Sequence, residues 1–267
     1  MAPLTLEQKL HYTLRLAIAM CFIGHGAFGI LIKPIWVNYF AVFGVGKYWA
    51  YTLMPVVGTF DISLGILVLI KPYRIIVIWL IIWGLITAAL RPLSGEPFAE
   101  LIERAGNFGA PLALLILSGG IRSVKDLFGS IDPDIKADAA TWAGVSTCLR
   151  IVVFLLLAGH GWLNIIGKKG LLDEYSRVGL TNTALTSQII GIYEIVAGVL
   201  ILVKPFKLFI FILLVWKIVS EFFYPHWEVF EWIERGGSYC TLLALYFITD
   251  KIHLKNIFAL KRVSVGA

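Results

Sequence analysis

Four ionisable residues stand inside long apolar runs, where a charge is costly and marks a candidate functional site. They are His25, Asp61, His160 and Glu194. Each histidine sits in a Gly-His-Gly triplet, residues 24–26 and 159–161, and each follows an arginine (Arg15, Arg150) by ten positions. Each carboxylate precedes a Lys-Pro pair (Lys71-Pro72, Lys204-Pro205) by ten positions. On helices rising about 1.5 Å per residue, all four reach about 15 Å from one membrane edge. That is the middle of a hydrocarbon core about 30 Å thick. A carboxylate beside an imidazole favours the charged ring and lets the pair share a proton. The chemistry open to such a layer is a proton relay or a ligand pocket, and a purely structural pair accounts for the same residues. The flanking glycines admit either a flat ligand or a neighbouring helix. Trp83 and Trp216 fall twelve residues past the same lysines, within a turn of the layer.

Asp61, Glu194, His25 and His160 are therefore the candidate catalytic residues. His25, His160, Trp83, Trp216 and Lys217 are the candidate cofactor-binding residues. Lys217 and Glu221 lie four apart, one helical turn, opposite Gly84 and Ala88 in the first half of the chain. They predict a charge pair or triad near Glu194, and with it a specialised second half. A buried ion pair that adds only specificity is the plainer alternative. Cys21, Cys148 and Cys240 all lie in apolar segments without CxxC or Cys/His spacing, so no metal site is expected. Walker A, GxGxxG and HExxH motifs are absent, which argues against ATP hydrolysis and nicotinamide chemistry.

The elements that must position these groups are membrane helices. The chain has 267 residues, 59% hydrophobic and 15% charged, with a mean hydropathy of +0.85. Soluble domains carry about 25% charge, and disorder requires low hydrophobicity. An all-α polytopic membrane protein remains. Its first apolar segment is too long for a signal peptide.

The chain is an internal repeat. Leu14-Arg15, the Gly-His-Gly triplet, Lys33 and Gly44 recur 135 positions later. Gly58, Asp61, Gly65, Lys71-Pro72, Trp83 and Pro92 recur at 133, with Glu194 for Asp61, and Ile102-Glu103-Arg104 and Gly106 at 131. Each copy offers four apolar segments: about 12–32, 50–70, 72–91 and 106–121, then 147–167, 183–203, 205–223 and 236–250. The reading is eight spans as two parallel-repeat four-helix bundles, 1–121 and 147–267, joined by a cytoplasmic linker at 122–146. The stretches from Pro97 to Arg104 and from His226 to Arg235 read as interfacial helices. Glu103-Arg104 and Glu234-Arg235 would then face the headgroups, or form a lid over a pocket opening outward, with Trp227 and Trp232 as neighbours. Arg15 and Arg150 read as snorkelling anchors. The prolines of the two Lys-Pro pairs are placed in the first turn of the next helix. Basic residues gather at one edge, including Lys71, Arg74, Arg122, Lys204 and a tail with Lys251, Lys255, Lys261 and Arg262. The positive-inside rule places both termini in the cytoplasm, in a bacterial inner membrane.

Each copy resembles the DoxX-like family of four-helix membrane proteins. The resemblance rests on the Leu-Arg start of the first span, its Gly-rich end followed by Lys33 or Lys168, and the second span. That span reads Gly-x-x-Asp-x-x-x-Gly-x-Leu-x-Leu from Gly58 to Leu69, and Gly-x-x-Glu-x-x-x-Gly-x-Leu-x-Leu from Gly191 to Leu202. It covers about 210 residues. The resemblance implies association with quinone-linked redox complexes or sulfur oxidation, with Asp61 and Glu194 at the family's acidic position. The Gly-His-Gly histidines depart from the family pattern.

Three functions compete. The first is a redox-linked membrane subunit holding a quinone or lipid-like ligand; as an enzyme it would act within a quinone-linked oxidoreductase complex. Haem b would require His25 and His160 to meet between the first and fifth spans. The second is a proton-coupled transporter, and the third a structural or assembly subunit. Expected partners are the lipid bilayer and other membrane-complex subunits, with no nucleic acid.

Overall fold

A computed structural model describes residues 3–225 and 228–249. The basic tail from Lys251 onward, His226 and Trp227 lie outside the described residues. The first half contributes α1 (Leu6–Ile30), α2 (Trp36–Ala41), α3 (Lys47–Ile70), α4 (Arg74–Leu93), α5 (Ala99–Glu103) and α6 (Ala105–Leu117). A short α7 (Val124–Leu127) lies between the halves. The second half contributes α8 (Ala139–Ile165), α9 (Lys169–Arg177), α10 (Thr183–Val203), α11 (Lys207–Ser220), α12 (Val229–Glu234) and α13 (Gly236–Ile248). A 3-10 turn, Glu221–Phe223, follows α11.

Five helices (α1, α3, α4, α8 and α10) are long and apolar enough to cross a membrane. The apolar α6, α11 and α13 run 13 to 14 residues. The outward faces are apolar. Val56, Phe60 and Ile70 on α3, Ile189, Ile192 and Val203 on α10, and Leu208 and Phe211 on α11 are all exposed. A contiguous apolar exterior of this extent suits lipid and not water.

The halves interleave instead of forming two self-contained bundles. Helices α1, α6, α8 and α13 make the centre; α3 flanks α1 and α10 flanks α8. The α5 helix of the first half packs on α8 of the second, and α12 of the second packs on α1 of the first. Glycine makes this possible. A Cβ on Gly24 would strike the backbone of Glu234, and one on Gly159 the backbone of Glu103. The second glycine of each triplet serves the other crossing: Gly26 meets Gly58, and Gly161 meets Gly191.

Arg15 and Arg150 are helix caps, not snorkelling anchors. Arg15 Nε donates to Val68 O at 2.9 Å and its Nη2 to Leu69 O. Arg150 serves Leu202 O and Val203 O in the same way. Both satisfy carbonyls left over at a helix end, where a cation also suits the dipole. The prolines Pro72 and Pro205 sit just before the N-caps Tyr73 and Phe206 rather than inside the next helices. The stretch after α6 is stitched to this edge. Ile131 N donates to Pro72 O at 2.7 Å, and Gln8 Nε2 to Asp134 Oδ1 at 2.7 Å.

Candidate functional site: two histidine–carboxylate dyads

The matched spacing brings the expected partners together in each half. In the first, Asp61 on α3 is fully buried. His25 Nδ1 lies 2.7 Å from its Oδ2, and Trp83 Nε1 donates to its Oδ1 at 2.8 Å. Both carboxylate oxygens are thus engaged. With Asp61 ionised, Nδ1 carries the ring proton and Nε2 is the nitrogen left to act. That ring lies 4.7 Å, centroid to centroid, from Trp36. It borders a cavity of about 570 Å³ walled by Trp36, Tyr39, Phe40, Phe43, Val57, Trp83 and Leu90, with Arg91, Arg104, Asn107 and Glu234 as its polar rim.

The second half repeats the dyad with a different surround. His160 Nδ1 lies 2.5 Å from Glu194 Oε2, and Trp216 Nε1 donates to Oε1 at 3.1 Å. Asn164 Nδ2 reaches the same ring nitrogen at 3.2 Å. Asn164 Oδ1 accepts from Tyr175 Oη at 2.6 Å and Ser187 Oγ at 3.0 Å. Leu171, Glu174, Tyr175 and Tyr224 close over His160, leaving about 320 Å³. Leu171, Glu174, Tyr175, Val178 and Phe223 stand where Trp36, Tyr39, Phe40, Phe43 and Leu90 wall the first pocket, and the Asn164–Tyr175–Ser187 network adjoins the ring.

Above both dyads lies a charge layer that does not face the headgroups. Glu100 is fully buried and holds Arg104 Nη1 at 2.6 Å, Arg91 Nη1 at 3.7 Å and Lys168 of the second half. Arg104 also holds Glu103 at 3.0 Å. Reciprocally, Glu231 holds Arg235 at 2.8 Å and Lys33 of the first half. Thus α5 and α12 dip inward as charged struts, because Gly159 and Gly24 give their backbones room. Outside the spans, burial pushes the Glu96 carboxyl up, but the Tyr39 hydroxyl and Arg91 outweigh it and hold it below the usual range. Burial raises the Glu174 carboxyl, against the pull of Arg235.

Other expectations need correction. Lys217 and Glu221 do not pair: Glu221 instead lies 3.5 Å from Arg235 Nε, since the helix tightens into a 3-10 turn at Glu221. Lys217 is buried and borders a central cavity with His160, Arg104 and Glu234. The larger aromatic pocket belongs to the first half, not the second. His25 and His160 border different cavities, each ring held by its own carboxylate. This arrangement does not fit one haem clamped between the two.

Sequence reasoning missed α2. Its Trp36, Tyr39 and Phe40, with Phe43 just past its end, recur at i, i+3, i+4 and i+7, the mark of one helical face, and they wall the pocket. It also missed Arg91, whose counterpart is Tyr224, and Tyr39, whose counterpart is Glu174. These mismatches in an otherwise matched repeat mark where the two surrounds diverge. No family model, curated protein or solved structure matches the chain.

Proposed function

We propose that this is an eight-span integral membrane subunit, both termini cytoplasmic in a bacterial inner membrane, that binds a flat lipid-soluble ring of the quinone class. The three short apolar helices complete the eight spans, and the halves relate as parallel repeats. The reciprocal Lys33–Glu231 and Lys168–Glu100 pairs support that relation. So does the packing of Gly106 on its counterpart Gly237.

One observation carries the ligand reading. His25 borders an aromatic-walled cavity while Nδ1 is held at 2.7 Å by buried Asp61. Such a pocket suits a planar apolar ring with a few fixed polar contacts. The Arg91 guanidinium is a donor placed for a ring oxygen, and His25 Nε2 accepts from a ring hydroxyl or, once protonated, donates to a ring carbonyl. Asp61, polarised by Trp83, stabilises the imidazolium as the ring takes or gives a proton. The DoxX-like resemblance points to the same class. Second, a proton-coupled transporter is favoured by the polar cavity at the seam between the halves.

The test is titration of the detergent-purified protein with decylubiquinone and a menaquinone analogue, read by tryptophan fluorescence, beside quinone assay of an organic extract. Saturable quenching lost in His25→Ala and Asp61→Asn supports the reading. Absence of both bound quinone and quenching overturns it.

A further inference from the structure

The central cavity adjoins the ring pocket: Arg104, Asn107 and Glu234 line both, and His160 also borders it. It has about 470 Å³ of empty space, part of it open to the outside, where the halves meet beside the Gly106–Gly237 crossing. Its two arginines are already neutralised: Arg104 by Glu100 and Glu103, Arg235 by Glu231 and Glu221. Two charges remain. Lys217 and Glu234 border the cavity, and each is only 8% exposed. Among the described residues, neither has an ion-pair partner within 4.0 Å, and they do not pair with each other. A buried charge without a direct partner is costly. Opposite charges that border one polar cavity without pairing are relieved when a solute of matching polarity takes both.

The first half shows that the arrangement is specific. At the position equivalent to Lys217 stands Gly84, and a Cβ there would lie 2.8 Å from Asn107 O. The backbone of α6 thus fills the space that Lys217 occupies in the second half. Ser238, the counterpart of Asn107, is smaller and also borders the cavity.

We propose that the central cavity is a binding site for a small zwitterion of amino-acid size. Its anionic group takes Lys217, and its ammonium takes Glu234. Ser238 and Asn107 supply neutral hydrogen bonds. Glu234 and Asn107 also line the ring pocket, whereas Lys217 lines the central cavity and not that pocket, so its substitution separates the two sites.

The experiment is isothermal titration of the full-length protein in detergent at fixed ionic strength. The probes are the common amino acids one at a time, with acetate and methylamine as one-headed controls. At least one amino acid is expected to bind saturably, tenfold or more tighter than either control. Lys217→Met and Glu234→Gln are each expected to weaken it at least tenfold while keeping a monodisperse elution peak and a cooperative melting transition as proof of folding. Should Lys217→Met not fold, Ser238→Leu, which fills the cavity, is expected to remove binding. The proposal is overturned if no amino acid binds, if acetate alone binds as tightly, or if binding survives these substitutions.

Discussion

The two halves hold the same dyad in opposite surrounds. Around His25, Trp36, Phe40, Phe43 and Leu90 leave an open aromatic cavity, and Arg91 stands at its rim. Around His160, Leu171, Tyr175, Val178 and Phe223 occupy those positions, and Tyr224 replaces Arg91. Asn164, with no polar counterpart at Gly29, ties the second dyad to Tyr175 and Ser187. A carboxylate–imidazole–indole triad, with Asp61 in one half and Glu194 in the other, is therefore compatible with an aromatic-walled pocket and with a polar surround that also borders the central cavity. The repeat carries the triad twice, and the residues one layer out set its surround.

The largest effects should come from the seam that both halves share. Glu100→Ala takes the carboxylate from Lys168 and leaves Arg104 with Glu103 and Arg91 with Glu96, and breaking a buried ion cluster costs about 3–5 kcal/mol. Glu231→Ala, in a less buried cluster, should cost less. Thermal unfolding in detergent checks the order, and equal losses would break the asymmetry. Gly159→Leu should rival Glu100→Ala, because its side chain would collide with the α5 backbone. It is read by loss of a monodisperse elution peak.

Ligand binding should divide the halves next. His25→Ala should weaken quinone quenching tenfold or more, whereas His160→Ala should change it less than twofold. Equal effects would erase the distinction between the two surrounds.

Acidification should separate the halves in sign. The Glu96 carboxyl lies below its ordinary value, so its stabilising contribution is present above the unfolded pKa and is lost as pH falls through the folded one. Glu174 is raised, so its favourable contribution is present below the unfolded value and is lost as pH rises through the folded one. Glu96→Gln should therefore reduce the destabilisation seen below about pH 4.5. Glu174→Gln should raise the melting temperature at neutral pH relative to wild type.

The smallest effects should be alike in both halves. Thr5 accepts from Gln8 N at the start of α1, and Asp138 accepts from Thr141 N at the start of α8. Thr5→Ala and Asp138→Ala should each cost about 1 kcal/mol. A large difference between them would place asymmetry outside the pockets as well.

Much of the site was legible in the chain. The ten-residue spacings put His25 with Asp61 and His160 with Glu194, because rise per residue converts sequence distance directly into depth. Trp83 and Trp216 followed for the same reason. The spacing also located the long apolar segments to within a few residues. Illegible were the direction in which α5 and α12 turn and the partners of their charges. Amphipathic stretches such as 97–104 suit a membrane surface or a buried polar seam equally, and only the neighbour decides.

By itself the sequence determined an all-helical, apolar, duplicated chain with a polar layer at one depth, since hydropathy and helical rise are local properties. The tertiary structure alone decided that the halves interleave and that Lys168 answers Glu100 and Lys33 answers Glu231. It alone decided that the first half keeps an open pocket. Those outcomes depend on which backbone each glycine admits and on which distant side chain completes a buried charge, neither of which is encoded in any one segment.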